Sequence, residues 1–286
     1  MSHTVKADPG GNPELNLKEE QSPSFLTVRF TAAYDGQQLL HKKEGLLLDV
    51  SDIKGTNCYC DDAACEELEK RISSAGSPIL HFIDSGNYHY MTSFWLRRIT
   101  EPFRLIVFDH HTDMQEPAFG EILSCGGWIS YSLRKYPMLR EVMLIGPEEE
   151  DLKETDPHLL EKVRWYPESV LNASPEDKLF PTEEILPDRL PVYISIDKDI
   201  MSKEYAGTSW TQGNISLPQL LTAAERLFIS VSEKGIKLYG VDICGEADPP
   251  SPGERRINET ANMAFLELVN KYFKLHNYRN NINKHS

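Results

Sequence analysis

Seven short runs of aliphatic and β-branched residues punctuate the chain: LTVRF from Leu26, GLLLDV from Gly45, ILHFID from Ile79, RLIVFD from Arg104, EVMLIG from Glu141, VYISID from Val192 and KLYGVDI from Lys237. None alternates cleanly between apolar and polar positions, which is the pattern of strands buried on both faces in a parallel sheet. Between several runs the period lengthens to that of a helix. Asp61 and Asp62 open a stretch in which Ala64, Leu68 and Ile72 share one face, and Ser216 with Gln219 forms a capping box ahead of LLTAAERLF. Ala261, Phe265, Leu268 and Tyr272 line one face of a last helix. This rhythm predicts a three-layer α/β/α sandwich with a mostly parallel central sheet, in one domain over residues 26–276. Residues 1–25 and 277–286 are polar, lack periodicity and read as tails.

Composition narrows the partners more than the fold. A chain of 286 residues can bury a core without disulfide or metal staples. Its 30 basic and 44 acidic side chains leave a formal charge of −14, which opposes binding to nucleic acid and to anionic membranes. The surplus is either solvated surface, as in the acidic run after Pro147, or a cluster that seeks cations. Five cysteines are an odd number, and the first residues carry no apolar signal core, so a reducing cytoplasm is the expected compartment. No stretch approaches the roughly 20 consecutive apolar residues of a membrane helix.

The chemistry gathers at strand ends. In open parallel sheets ligands bind beyond the carboxyl ends of the strands. VFDHHTDMQ places Asp109, His111 and Asp113 at spacings of two, on one side if the segment is extended. ISIDKDI repeats that spacing with Asp197 and Asp199, and IDSGNYHYM follows a strand end with a glycine turn and His89. Each motif alone has a plain structural explanation as a turn, a cap or a hydrogen-bonded core histidine. Three strand ends collecting such residues together point to hard-metal ligation, because grouped carboxylates repel unless a cation joins them.

The order of these motifs resembles the arginase and agmatinase family, the ureohydrolases. The resemblance rests on Gly86 with His89, on Asp109, His111 and Asp113, and on Ser195, Asp197 and Asp199. An acidic segment with Asp242, Glu246 and Pro249 and a helix start at Glu259, Thr260 and Ala261 also fit. It implies two Mn2+, with Fe2+, Ni2+, Co2+ or Zn2+ as substitutes. Asp109 and Asp197 would bridge the ions, His89 and Asp113 would complete one shell, and His111 and Asp199 the other. It further implies attack of a metal-bridging hydroxide on a linear amidine or guanidino compound, a cationic small molecule, and assembly into a homo-oligomer.

Several positions depart from the family pattern. Cys125 stands where the arginases have a proton-shuttling histidine, and is either a thiol proton donor or a small buried residue. Glu246 lies one residue further from Asp242 than the family's substrate-sensing glutamate, a difference that a bulge would absorb. It is expected to pair with a cationic head and to assist catalysis. Gln115 replaces the arginase asparagine at a substrate position, Lys198 sits between two ligands, and Trp210 and Gln212 are expected along the pocket. Cys58, Cys60 and Cys65 make a weak zinc motif and fit better as a turn into the Asp-capped helix. Two other classes stay open: a zinc-dependent deacetylase of acetylated amines, and a non-catalytic metal-binding or ligand-binding member.

Overall fold

The computed structural model describes residues 24–273 except 77, 117–119, 148, 154 and 172–179. The two expected tails lie outside the described residues, apart from Ser24 and Phe25. The strands are β1 (Phe25–Arg29), β2 (Gly45–Asp49), β3 (Tyr59–Cys60), β4 (Leu80–Ile83), β5 (Phe103–Phe108), β6 (Leu123–Ser124), β7 (Leu139–Gly146), β8 (Val163–Pro167), β9 (Val192–Asp197) and β10 (Leu238–Cys244). The helices are α1 (Asp62–Ser74), α2 (Thr92–Leu96), α3 (Trp128–Lys135), α4 (Pro157–Leu160), α5 (Thr182–Ile185), α6 (Leu217–Glu233) and α7 (Pro252–Phe273).

Eight strands form one sheet in the order β2-β1-β4-β10-β9-β5-β7-β8, and every pairing in it is parallel. All seven apolar runs are strands of this sheet. β4, β5 and β9 are buried along their whole length, as continuous apolar runs require. Successive side chains enter opposite cores: Ile106 and Phe108 of β5 pack with Leu220, Phe228 and Phe265, whereas Leu105 and Val107 pack with Leu68 and Trp128. Helices α6 and α7 therefore cover one face and α1 and α3 the other, completing the expected three layers. β8 was not foreseen. Its sequence VRWYP is half-buried, and its proline closes an edge strand, where a missing donor is tolerated.

Helix caps match their sequence signals. Asp61 caps α1, accepting from the Ala64 amide, and α1 buries Ala64, Leu68 and Ile72. Ser216 and Gln219 form the reciprocal capping box of α6. Among the described residues, no helix is long and apolar enough to cross a membrane.

A buried polar network ties the ends of β9 and β10 to α7. Lys198, in the short turn after β9, is fully buried and donates to Glu246 and, at 3.1 Å, to Asn262. Glu246 also accepts from Gln37 at 2.9 Å, Asn258 at 3.0 Å and Asn262 at 2.8 Å. A carboxylate this deep is stable only while its cation stays. Lys198→Met should cost about 3–5 kcal/mol in urea unfolding, and adding Glu246→Gln to that variant should restore part of the loss. A single variant as stable as the parent chain would show that the pair carries no such coupling.

Candidate metal centre

β4, β10, β9 and β5 lie side by side, and the chain segments leaving β4, β5 and β9 deliver the six expected ligands. His89 sits in a 3-10 turn, Gly86–Met91, directly after β4 and is buried. Its Nδ1 lies 3.0 Å from Asp113 Oδ2 and 3.3 Å from both Asp109 Oδ2 and Asp197 Oδ2. Its Nε2 lies 2.9 Å from the Ser195 hydroxyl, which in turn donates to Asp242. Ser195 is therefore left to accept from an Nε2–H, so a neutral His89 turns its Nδ1 lone pair toward three carboxylate oxygens. A positive charge belongs between them, either a proton or a metal ion.

The second imidazole is arranged similarly. His111 Nδ1 is 2.9 Å from Asp199 Oδ2 and 3.6 Å from Asp109 Oδ1, while Nε2 is 2.7 Å from the Thr211 hydroxyl. Donor atoms of His89, Asp109 and Asp113 lie within 4.8 Å of one another, as do those of Asp109, His111 and Asp199. Asp109 is common to both groups, and its buried Oδ2 has no hydrogen-bond partner. A carboxylate oxygen orphaned between two donor sets fits a bridging ligand. A third group joins His89 and Asp197 to Cys244 of β10, a residue with no distinguishing signal in the sequence.

Charge crowding shows in the proton affinities. Burial, and then the neighbouring Asp109, push Asp113 up to about 6. Burial followed by adjacent carboxylates raises Asp197 and Asp199 as well. For His111 burial works downward, but the bonds to Asp109 and Asp199 prevail and push it up to about 11. Opposed only by burial, Asp109 and Asp113 likewise raise His89 far above its ordinary value. The site thus seeks positive charge, and oxygen-rich donors with two imidazoles suit a hard or borderline dication.

Local backbone brings these groups together by turns instead of strand pleat. β5 ends at Phe108, and Asp113 adopts a left-handed φ of 48°, so the extended alternation expected for residues 109–113 does not occur. Trp128 Nε1 holds Asp113 Oδ2 at 2.6 Å. Asp197 accepts from the Asp199 amide at 2.9 Å, and Asp109 from the His111 amide at 2.7 Å. Gly245, with φ at 93°, passes so near that a Cβ there would stand 2.2 Å from Asp197 Oδ1.

The six candidate ligands floor a cleft of about 210 Å³ whose walls include Gln115, Cys125 and Trp210. Trp210 packs edge-on to His111 and hydrogen-bonds Asn87 at 3.0 Å. Cys58 and Tyr59 line the cleft too, and were missed. They arrive through the two-residue ladder of β3 with β6, which sets Cys58 against Cys125. Burial, and then Asp113, push the Cys125 thiol up, so it stays protonated. Two expected substrate residues lie elsewhere. Gln212 is turned into its own loop, donating to the Met201 and Ala206 carbonyls at 2.9 Å each. Glu246, expected at the cationic head of a substrate, is fully buried, and its side chain is paired with Lys198 instead.

Residues 38–269 match the model of the arginase family. An uncharacterized protein of Thermotoga maritima is 31% identical over 260 residues, covering 89% of this chain and 92% of the relative. Solved structures of the same fold include the agmatine ureohydrolase of Thermoplasma volcanium, with a TM-score of 0.61 and 17% identity over 90% of this chain and 93% of that one. The formimidoylglutamase from Bacillus subtilis has a TM-score of 0.63, with 16% identity over 87% of each chain. The arginase from Bacillus cereus has a TM-score of 0.60, with 15% identity over 85% of this chain and 96% of that one. With its matched span reaching from the segment after β1 into α7, this chain belongs to the arginase family.

Proposed function

We propose that the protein is a metal-dependent hydrolase cleaving a carbon–nitrogen bond in a linear amidine or guanidino compound. The observation that carries this reading is Asp109, shared by two donor groups with one buried oxygen unpartnered. His89, Asp109, Asp113, His111, Asp197 and Asp199 would hold two dications, manganese first among them. Such ions supply Lewis acidity, activating water at neutral pH and polarising the carbon to be attacked.

The chain's own groups do the rest. Ser195 and Asp242 fix the orientation of His89, and Thr211 and Asp199 that of His111. The Gln115 amide and the Trp210 ring flank the space above the ligands, where a planar cation is met by an acceptor oxygen and a π face. Glu246 takes no part in that recognition. The protonated Cys125 thiol faces the cleft and offers its hydrogen to a departing nitrogen, which leaves as an amine only if it gains a proton.

Manganese-loaded protein should carry about two ions per chain by elemental analysis, and Asp109→Ala should bring this below about one. Release of urea, ammonia or amine across a panel of guanidino and formimidoyl compounds should identify a substrate. Less than one ion per chain in the parent, together with no turnover, would overturn the proposal. Cys125→Ala should lower kcat on the order of 10²-fold with metal content and KM little changed. An unchanged kcat would reduce Cys125 to a wall of the cleft.

A further inference from the structure

Four of the five cysteines gather on one wall of the cleft, around the β3 and β6 ladder. Cys58 and Cys125 face the cleft itself, whereas Cys60 and Cys65 lie behind them at the start of α1. With Asp61 as N-cap, Cys60 is the residue before the cap and Cys65 the fourth residue of the helix. Side chains at these two positions meet in most well-capped helices, where an apolar pair forms a hydrophobic staple. Here the staple is built from two thiols, with the sulfur atoms 2.7 Å apart, inside the contact distance of non-bonded sulfur. Cys60 is buried and Cys65 is partly exposed. Among the described residues, no group of three ligand-type side chains close enough to hold an ion includes Cys58, Cys60 or Cys65, so the weak zinc reading has no support there.

We propose that Cys60 and Cys65 form a dithiol modification site, oxidised by hydrogen peroxide to a disulfide that locks the start of α1 to the wall of the cleft. The Cys65 sulfur, as thiolate, attacks one peroxide oxygen. The O–O bond breaks, hydroxide leaves and takes up a proton, and Cys65 becomes a sulfenic acid. The Cys60 sulfur then attacks the Cys65 sulfur, forming the S–S bond as the S–O bond breaks, and the departing hydroxide takes the Cys60 proton. Two thiols and one hydrogen peroxide thus yield one disulfide and two waters. Cys65 is the first to react because it is the more exposed of the two thiols. The site is independent of the hydrolase reading, since neither thiol touches the proposed ligands.

The test uses the full chain under native conditions, treated with hydrogen peroxide, blocked with iodoacetamide and digested without reductant for mass spectrometry. The peptide holding Cys60 and Cys65 should lose two hydrogens and both alkylation sites, and dithiothreitol should restore them. In Cys60→Ser, Cys65 should accumulate as a sulfenic acid trapped by dimedone; in Cys65→Ser, Cys60 should remain untrapped. Full alkylation of both thiols after peroxide, over-oxidation of Cys65 without a link, or a link confined to Cys58 and Cys125 would overturn the site. Trapping at Cys60 alone in the two variants would overturn the order of attack.

Discussion

The mutual repulsion of four buried carboxylates is the constraint around which this protein is arranged. Asp109, Asp113, Asp197 and Asp199 are all less than a tenth exposed, and their oxygens converge on two imidazoles. Burial and repulsion both favour protonation of such a group, as the raised affinities of Asp113, Asp197 and Asp199 record. A fold keeps them together only if each is fixed by bonds that do not depend on its charge being quenched by a neighbour. The bonds from backbone amides to Asp109, Asp197 and Asp199, and from the Trp128 indole to Asp113, do that work.

Topology supplies the convergence. In chain order β4 is followed by β5, yet in the sheet β10 and β9 stand between them. The ends of β4, β9 and β5 therefore open on one crevice, and β10 contributes the Gly245 turn on which Asp197 rests. The Ser85 to Glu246 bridge and the bonds from the Gly245 and Glu246 amides to the Asp84 carbonyl join β4 to β10 at that level. Asp84 itself is no ligand. It is buried and accepts from the Phe30, Thr31 and Ser85 amides and the Thr31 hydroxyl, pinning the loop after β1 under the site.

The sheet was legible because a central parallel strand is apolar on both faces whatever its neighbours are, so each run announces itself. The clustering of the candidate ligands was legible for a related reason: no core or turn explanation covers carboxylates and imidazoles at three strand ends together. β8 escaped because an edge strand carries charge and aromatic residues in no simple order, and the ladder of β3 with β6 is shorter than any hydropathy window. Glu246 and Gln212 were misread for a deeper reason. Whether a polar side chain faces a cleft or turns inward depends on partners distant in the chain, such as Asn262 and Lys198 for Glu246, and hydropathy carries no record of them. The left-handed Asp113 belongs with these, since its conformation is imposed by packing against α3 and not by its own residue type.

The two buried acidic clusters are resolved by opposite means. Glu246 receives a cation from within the chain, the Lys198 ammonium, and three amide groups complete its bonds, so that carboxylate makes no demand on solvent. Lys198 stands between Asp197 and Asp199 in sequence, yet its charge is directed to Glu246 and away from both. Among the described residues, the basic groups within ion-pair distance of the four aspartates are only the imidazoles of His89 and His111. Among the described residues, one lysine thus neutralises Glu246, and no lysine or arginine pairs with the larger cluster beside it. The positive charge for those aspartates comes either from protons on these two imidazoles, whose proton affinity the aspartates raise, or from metal ions. This asymmetry is the physical ground for proposing metal ions at the aspartates and for leaving Glu246 out of the proposed recognition of substrate.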